Sequence, residues 1–503
     1  MIELDKLLER LEYRCEAGNT DVRVRAVRYD TREIEPGDLF VCIKGNRADS
    51  HVLIGEIVSR GAKVIVAERK IQVPDGVTVI RVRDSRYALA LISASYFGYP
   101  AEKMKLIGVT GTKGKTTVAY MLREMLKCAG YKTGLMGTIV TAVGDEEQAA
   151  GNTTPESYLI QELLARMVEA GCRYVIMEVS SQGLKLQRTA GILFDIGIFT
   201  NLGPDHIGPA EHKDFAEYAQ CKSRLFRQCR VGVVNGDDEY LDLILRGHTC
   251  EVITYGMRPE NAYIASDLEL YQEDGVPGIQ FQVGGRLETR MKVDIPGTFS
   301  VYNAMAAIAA CAQLKLPADV MGRALKTVKV KGRVEVVPGP WDFTVMIDYA
   351  HNAMSLQSLL TTLREYEPHR LVCLFGCGGN RSKLRRYEMG EMSGKLSDFT
   401  VITSDNPRYE KPEEIIADIR TGMEKTDGAY IEIPDRREAI AWALRHGQQG
   451  DILILAGKGH EDYQEICGVK YPMDERVIIR EIIQQNECTS QEMCSKADIQ
   501  QSK

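Results

Sequence analysis

The sequence predicts an α/β protein of three domains: a small N-terminal α/β domain, a central doubly wound sheet, and a C-terminal Rossmann-like α/β domain. Three observations lead to this prediction. Short apolar runs alternate with helical stretches along most of the chain. The segment GVTGTKGKTT, residues 108–117, joins a strand-like run to an amphipathic helix. The length of 503 residues corresponds, as a prior, to about three domains.

The predicted domain boundaries follow changes in this pattern. Residues 1–100 form the N-terminal domain, in which GDLFVCIKG and AKVIVAE are strand-like and HVLIGEIVSRG is helical. Residues 101–331 form the central domain, and residues 332–484 form the C-terminal domain, where a second alternating series begins. The tail, residues 485–503, is polar and aperiodic, so we expect it to be disordered.

Composition and charge exclude several classes of function. The net charge is −7 and no long basic run occurs, so we expect no nucleic-acid partner. The apolar runs are short and the first residues, MIELDKLLER, are not a signal peptide, so we expect no membrane insertion and a cytoplasmic location. The 13 cysteines lack the spacing of a zinc site, which is typical of reduced thiols in a cytosol.

The glycine-rich segment indicates a phosphate-binding P-loop. Glycines let backbone N–H groups approach phosphate oxygens, and the N-terminus of the following helix favours an anion. Lys115 would neutralise the outer phosphates of a nucleoside triphosphate, and the Thr116 hydroxyl would bind Mg²⁺. Five residues, not the four of the strict pattern, separate Gly108 from Gly114. The alternative is a glycine-rich turn that binds nothing.

Polar residues at the ends of predicted strands suit a magnesium site beside this loop. Glu178 ends the strand in RYVIMEVSS, and His206 lies in NLGPDH. A carboxylate, an imidazole, Thr116 and phosphate oxygens form a reasonable Mg²⁺ shell. Each residue taken alone is equally compatible with a structural role. Lys222 lies in a helical stretch, and its pattern alone indicates an exposed surface lysine.

A second polar cluster is predicted at the strand ends of the C-terminal domain. Arg381 lies in GGNRSK, Arg408 in SDNPR and Glu461 in GKGHED. These segments meet only if the second sheet folds as predicted. Arginine binds carboxylates with both arms of its guanidinium, which favours an acidic ligand here. The alternative is a set of surface salt bridges.

Nine motifs in order resemble those of the Mur ligase family, from about Tyr29 to about Ile479. The resemblance implies, in chain order, a UDP-binding, an ATP-binding and an amino-acid-binding domain. It implies an ADP-forming acid–amino-acid ligase of peptidoglycan synthesis, and hence a part in cell-wall biogenesis, cell shape and cell division. The motifs are GTKGKTT, NTTPES, MEVSSQGL, FTNLGPDHIG, YAQCKSRLF, DYAHN, FGCGGNR, SDNPR and GKGHEDYQ.

The resemblance also implies roles for residues around the nucleotide. Lys115, Glu178, His206 and Lys222 would be catalytic. Lys222 would be carbamylated, which turns a cation into an anionic ligand, and would hold Mg²⁺ together with Thr116, Glu178 and His206. The residues implied in ATP binding are Gly111, Thr112, Lys113, Gly114, Lys115, Thr116, Thr117, Asn303 and Arg333.

Two further sets of positions match family residues around the other substrates. The DNPR form of the motif accompanies meso-diaminopimelate in the family, so Arg408 would bind a distal carboxylate and Glu461 the distal ammonium. The residues implied in binding the UDP-muramoyl-dipeptide are Thr31, His51, Asn152, Thr153, Thr154, Ser180 and Arg188. The residues implied in binding the acceptor are Arg381, Asp405, Asn406, Pro407, Arg408, Gly457 and Glu461.

Some positions depart from the family pattern. Ala353 and Met354 follow DYAHN where Pro-Asp is commoner, Ser50 interrupts a DGH motif, and Leu186 stands where the family has glutamine. These positions concern the placement of the substrate, whereas the ATPase motifs match.

The implied reaction adds meso-diaminopimelate to UDP-N-acetylmuramoyl-L-alanyl-D-glutamate through an acyl phosphate, at the cost of ATP. The partners would be these small molecules alone, and we expect a monomer. The alternatives are a divergent paralogue that joins another amino acid, a folylpolyglutamate synthase-like ligase, a regulatory P-loop ATPase, and a non-catalytic protein that binds UDP-linked precursors. SDNPR and GKGHEDYQ argue against the folate ligase.

Overall fold

The computed structural model describes residues 1–45, 48–205, 207–208, 211–273 and 275–485. It divides into two compact units. The first unit contains residues 1–266, 283–289 and 302–325, and the second contains residues 267–282, 290–301 and the chain from residue 326 onward. Within the described residues, no helix is long and apolar enough to cross a membrane. The cysteines among them are all free thiols.

The N-terminal part of the first unit is built on a small sheet. Its elements are β1 (Ile2–Glu3), α1 (Leu4–Leu8), β2 (Arg14–Ala17), β3 (Arg23–Val24), β4 (Val27–Arg28), β5 (Leu39–Val41), α2 (Ile54–Ser59), β6 (Val64–Ala67), β7 (Thr78–Arg81) and α3 (Ser85–Tyr96). The strand order is β2-β7-β6-β5-β4, and β4 to β7 run parallel. Residues 64–67 are buried throughout, as expected for a strand covered on both faces.

The central part contains the large sheet. Its elements are β8 (Lys105–Thr110), α4 (Lys115–Cys128), β9 (Thr133–Met136), β10 (Val140–Val143), β11 (Glu146–Ala149), α5 (Ser157–Glu169), β12 (Tyr174–Glu178), α6 (Ser181–Lys185), β13 (Phe194–Phe199), α7 (Phe215–Ser223), β14 (Cys229–Asn235), α8 (Leu241–Ile244), β15 (Glu251–Gly256), β16 (Tyr263–Glu273), β17 (Val276–Gly285), β18 (Thr289–Val293), α9 (Thr298–Gln313) and α10 (Ala318–Thr327). The strand order is β11-β10-β9-β12-β8-β13-β14-β15-β16-β17-β18.

The position of β8 in this sheet determines where a ligand can bind. Strand β8 lies between β12 and β13 and is parallel to both. After β8 the chain first builds the side of β9 and β12, and then crosses to the side of β13, β14 and β15. The carboxyl end of β8 is therefore a topological switch point, where open α/β sheets bind their ligands. Helix α4 packs here through Val118, Met121, Leu122 and Met125, all fully buried.

The C-terminal domain, in the second unit, carries a further parallel sheet. Its elements are β19 (Glu335–Val336), β20 (Thr344–Asp348), α11 (Ala353–Arg364), β21 (Leu371–Phe375), α12 (Lys383–Leu396), β22 (Phe399–Ile402), α13 (Pro412–Met423), β23 (Ala429–Glu432), α14 (Arg436–His446), β24 (Ile452–Ala456), β25 (Tyr463–Ile466) and β26 (Val469–Pro472). The strand order is β19-β20-β24-β21-β22-β23, and β20 to β23 are parallel with β24 among them. The loops after β21, β22 and β24 therefore lie together at the carboxyl edge of this sheet.

The predicted fold class is confirmed: each strand-like run named above corresponds to a strand, and the alternation with helices builds parallel sheets. Short 3-10 helices occur at Thr31–Glu33, Ser50–Val52, Pro100–Lys103 and Arg224–Arg227. Gln485 belongs to a helical segment, residues 475–485, so the predicted disordered tail begins too early by this residue. The rest of that tail lies outside the described residues.

Candidate active site

The loop between β8 and α4 approaches its neighbours so closely that it requires glycine at two positions. Gly111 has φ +149°, and a Cβ atom there would lie 1.9 Å from the Thr200 hydroxyl oxygen. Gly114 has φ +84°, and a Cβ atom there would lie 2.3 Å from the side-chain oxygen of Asn303. Both φ values are strained for residues with a side chain. The loop is therefore packed tightly against residues 200 and 303 at the N-terminus of α4.

Two lysines donate to one carbonyl oxygen of this loop. The Lys115 ammonium donates to Gly111 O at 2.9 Å and to Thr112 O at 3.1 Å. The Lys222 ammonium, on α7, donates to Gly111 O at 2.6 Å. Lys222 is only 1% exposed, so the surface position indicated by its sequence pattern is wrong. Two lysine side chains therefore converge where the P-loop was predicted.

The environment of Lys222 disfavours its charged form. Burial lowers the pKa of Lys222 well below its usual value, and the charge of Lys115 lowers it further, while Asp205 acts in the opposite direction. The Lys222 nitrogen lies 4.6 Å from the ring centre of Tyr218, whose hydroxyl is 3.0 Å from the Thr112 hydroxyl. A lowered pKa favours the uncharged, nucleophilic form of the Lys222 amine.

Glu178 accepts several hydrogen bonds beside the loop. Its carboxylate accepts from the Thr116 hydroxyl at 2.9 Å, from the Thr138 N–H at 2.9 Å and from the Thr138 hydroxyl at 2.9 Å. The Thr138 hydroxyl also lies 3.0 Å from that of Thr153. Glu178 is 1% exposed, which makes these donors necessary for a buried carboxylate. No sequence motif marks Thr138, so its place beside Glu178 was not predicted.

The residues present suit a magnesium ion. The Thr116 hydroxyl and a Glu178 carboxylate oxygen are hard oxygen ligands 2.9 Å apart, close to the spacing of about 3 Å between neighbouring ligands of octahedral Mg²⁺. His206, the third predicted ligand, lies outside the described residues. Among the described residues, no group of three or more histidine, cysteine, aspartate or glutamate side chains is arranged to hold a metal. A site here would therefore need oxygen ligands from a bound phosphate.

The NTTPES segment lies directly beside Glu178. The Thr154 hydroxyl donates to the Glu178 backbone oxygen at 2.8 Å and accepts from the Ser180 N–H at 2.9 Å. The Arg188 guanidinium donates to Thr154 O at 2.8 Å. Asn152 lies at the exposed start of the same segment. The structure thus brings most of the predicted muramoyl-peptide residues to the edge where the P-loop opens.

The remaining predicted residues of this substrate site lie in the N-terminal part. Thr31 follows β4 and is half-buried, and His51 follows β5 and is 7% exposed. Nδ1 of His51 lies 2.7 Å from an Asp49 carboxylate oxygen, and Nε2 accepts from the Glu68 N–H at 3.1 Å. Both ring nitrogens are thus used inside the domain, and the His51 side chain is only 2% exposed.

Three other residues predicted at the nucleotide fall in different surroundings. The Lys113 ammonium lies 3.5 Å from an Asp205 carboxylate oxygen. Thr117 is buried in the first turn of α4. Arg333 belongs to the second unit, where its guanidinium lies 4.6 Å from the ring centre of Tyr349.

In the second unit, the loops after β22 and β24 form a connected polar network. The Asn406 amide donates to a Glu461 carboxylate oxygen at 2.8 Å, and the Lys458 ammonium donates to the Asn406 side-chain oxygen at 3.1 Å and to Glu461 at 3.1 Å. Gly457 has φ +107°, and a Cβ atom there would lie 3.0 Å from Asp405 Oδ2. The predicted meeting of these two motifs is therefore observed.

Arg408 lies at the same edge in a defined orientation. Its Nε donates to a Glu465 carboxylate oxygen at 3.1 Å, and its Nη1 donates to Gly379 O at 2.8 Å. Its backbone has the left-handed φ of +52°. Pro407 packs against the loop after β21, because a Cβ atom at Gly379 would lie 1.9 Å from Pro407 O. Arg381, in contrast, is an exposed side chain on the neighbouring loop.

Arg436, which no sequence motif marks, connects the two loops that carry the acceptor motifs. Its guanidinium donates to Ser404 O at 3.1 Å and to Ala456 O at 3.0 Å, at the ends of β22 and β24. Its charge is paired with Glu475 at 2.8 Å, and both side chains are fully buried. Removing one partner of such a pair costs about 3–5 kcal/mol.

Comparison with known proteins identifies the family. The chain matches the Mur ligase middle domain over residues 109–311 and the Mur ligase, glutamate ligase domain over residues 332–459. It is 43% identical over 472 residues to a protein of Caldanaerobacter subterraneus subsp. tengcongensis named UDP-N-acetylmuramoyl-L-alanyl-D-glutamate–2,6-diaminopimelate ligase, covering 93% of this chain and 97% of the relative.

Solved structures of Mur ligases have a similar fold. A structure of a UDP-N-acetylmuramoyl-L-alanyl-D-glutamate–2,6-diaminopimelate ligase has a TM-score of 0.72 and 26% identity, covering 97% of this chain and 99% of its own. The MurF ligase of Thermotoga maritima in complex with ADP has a TM-score of 0.58 and 19% identity, covering 92% and 96%, which supports the fold alone. The chain belongs to the Mur ligase family of ATP-dependent peptide ligases.

Proposed function

We propose that this chain joins meso-diaminopimelate to the side-chain carboxylate of D-glutamate in UDP-N-acetylmuramoyl-L-alanyl-D-glutamate, a step of peptidoglycan precursor synthesis. The observation that carries the proposal is the placement of Arg408 and Glu461 at one sheet edge, where Glu461 binds the Asn406 amide and Arg408 follows two residues later. Their opposite charges match the carboxylate and the ammonium at the distal end of diaminopimelate. The 43% identity to a relative named for this reaction supports the same substrate.

The proposed reaction has two steps. A carboxylate oxygen of D-glutamate attacks the γ-phosphorus of ATP, the bond to the bridging oxygen breaks, and ADP leaves. The amine of meso-diaminopimelate then attacks the carbon of the acyl phosphate, loses a proton, and phosphate departs. Lys115 and the loop N–H groups would neutralise the charge on the transferring phosphoryl group.

Thr116 and Glu178 would hold Mg²⁺, together with His206 and a carbamylated Lys222. The ion would neutralise phosphate oxygens and orient them. The lowered pKa of Lys222 supports the carbamate, because only an uncharged amine reacts with CO₂. Thr153, Thr154, Ser180 and Arg188 would position the dipeptide beside this site, with Asn152 at its entrance.

The remaining assignments follow from the same reaction. Thr31 and His51 would contact the UDP moiety, and Asn303 and Arg333 the nucleotide. Arg381, Asp405, Pro407 and Gly457 would complete the acceptor pocket. We also propose a cytoplasmic enzyme that acts as a monomer.

Lys115→Ala should lower the rate of ligation by about a hundredfold or more, because the variant lacks the cation that neutralises the transferring group. The measurement is phosphate release with all three substrates present. Lys127→Ala, an exposed lysine at the other end of α4, is the matched control and should retain activity. Activity close to wild type in Lys115→Ala would refute the assignment of the loop.

An acceptor panel tests the proposed function itself. The protein is supplied with ATP, Mg²⁺, UDP-N-acetylmuramoyl-L-alanyl-D-glutamate and one amino acid at a time, and product is read by mass spectrometry. We expect product with meso-diaminopimelate and little with L-lysine. In Arg408→Ala the preference for meso-diaminopimelate should fall by about tenfold or more, since one charge-assisted contact is lost. Product with another amino acid only would support the ligase reaction and contradict the proposed acceptor.

The carbamate has a direct spectroscopic test. With ¹³C-bicarbonate, the wild-type protein should show a carbamate carbon resonance by NMR, because burial lowers the pKa of Lys222 and so favours the uncharged amine that reacts with CO₂. The resonance should be absent in Lys222→Met. A spectrum that is identical in both proteins would contradict carbamylation at this residue.

A further inference from the structure

Glu465, at the third position of β25, contacts the acceptor loop three times. Its N–H donates to the Asn406 side-chain oxygen at 2.9 Å. Its backbone oxygen accepts from the Arg408 N–H at 2.9 Å. Its carboxylate accepts from Arg408 Nε at 3.1 Å. The residue lies immediately after the GKGHEDYQ motif and has no role in the proposed function above.

The contacts of the Arg408 side chain restrict how it can present its guanidinium. Nε donates to the Glu465 carboxylate and Nη1 donates to Gly379 O, so hydrogen bonds to the protein fix two edges of the planar guanidinium. The paired Nη1 and Nη2 hydrogens at the tip are the ones that bind a carboxylate with two parallel hydrogen bonds. The orientation of this tip therefore depends on the Glu465 carboxylate.

The backbone of Arg408 is fixed in the same way. After Arg408 N–H donates to Glu465 O, the Cys467 N–H donates back to Arg408 O at 2.7 Å, which forms a short parallel bridge between this loop and the β25–β26 hairpin. The bridge holds Arg408 at a left-handed φ of +52°, which costs about 1 kcal/mol or more without support. The hairpin thus fixes the position of the Arg408 backbone as well as the orientation of its side chain.

We propose that Glu465 is a positioning residue that orients the Arg408 guanidinium for a distal carboxylate of the acceptor, and so contributes to the choice of acceptor. The inference rests on the proposed function. Glu465 acts through Arg408 and does not contact the reacting atoms.

A substitution series separates orientation from charge. Glu465→Gln keeps a side-chain oxygen that accepts from Arg408 Nε but lacks the charge, whereas Glu465→Ala lacks both. Glu432→Ala is the matched control, since Glu432 pairs with Arg420 at 3.2 Å in the same unit, with partners that are 42% and 29% exposed. The assay is steady-state ligation with ATP and the UDP-dipeptide saturating, and with meso-diaminopimelate or L-lysine varied.

We expect Glu465→Ala to raise the KM for meso-diaminopimelate about tenfold, the effect of one charge-assisted hydrogen bond, with kcat within about twofold of wild type. Its kcat/KM for L-lysine should not change, because lysine has no distal carboxylate. Glu465→Gln should recover most of the loss, and Glu432→Ala should equal wild type.

Two results would overturn the inference, provided that wild type prefers meso-diaminopimelate. The first is an equal loss of kcat/KM for both amino acids in Glu465→Ala. The second is a Glu465→Gln variant whose kcat/KM for meso-diaminopimelate is as low as that of Glu465→Ala. Should Glu465→Ala not fold, Glu465→Gln decides alone, because a loss of preference for meso-diaminopimelate beyond about threefold would contradict orientation by the side-chain oxygen. If wild type makes no product with meso-diaminopimelate, the proposed function fails and this inference fails with it.

Discussion

The carbonyl oxygen of Gly111 accepts hydrogen bonds from two lysines, and the nucleotide site depends on this interaction. Lys115 and Lys222 come from different helices and meet at this oxygen at 2.9 Å and 2.6 Å. The meeting is possible only because Gly111 has no side chain to collide with Thr200. Burial lowers the pKa of Lys222, and the positive charge of Lys115 lowers it further. A bound anion is favoured beside Lys115, and the phosphate groups of ATP would supply it. Carbamylation would replace the Lys222 amine by an anionic group and so remove the repulsion between the two lysines.

Both candidate sites use the same property of parallel sheets, namely that strands ending side by side present their loops at one edge. In the first unit, the P-loop, Glu178 and the segment after β13 lie at the switch point, because they are at the carboxyl ends of the neighbouring strands β8, β12 and β13. In the second unit, β22 and β24 deliver the acceptor motifs, and Arg436 binds the carbonyl oxygens that end these strands. The chemistry is thus placed on loops, while rigid strands determine their spacing.

The sequence predicts the parts of this arrangement that depend on local pattern. Apolar runs ending in glycine and polar residues predict the strands and the edge at which ligands bind. Contacts between distant residues leave no such local signal: Thr138, Arg436 and Glu465 carry no motif, yet each holds a predicted residue in place. Lys222 shows the limit most clearly, because its helix has a weak apolar pattern and its burial comes from the loop of residue 111, far away in sequence.

The most direct test of the account is to follow oxygen from the D-glutamate carboxylate. UDP-N-acetylmuramoyl-L-alanyl-D-glutamate labelled with ¹⁸O in that side-chain carboxylate is incubated with the protein, ATP, Mg²⁺ and meso-diaminopimelate, and the released phosphate is analysed by mass spectrometry. An acyl phosphate requires one ¹⁸O atom in each phosphate, because the carboxylate oxygen that attacks phosphorus leaves with it. Unlabelled phosphate, with ATP consumed, would show that the γ-phosphoryl group went to water and would contradict the proposed ligase reaction.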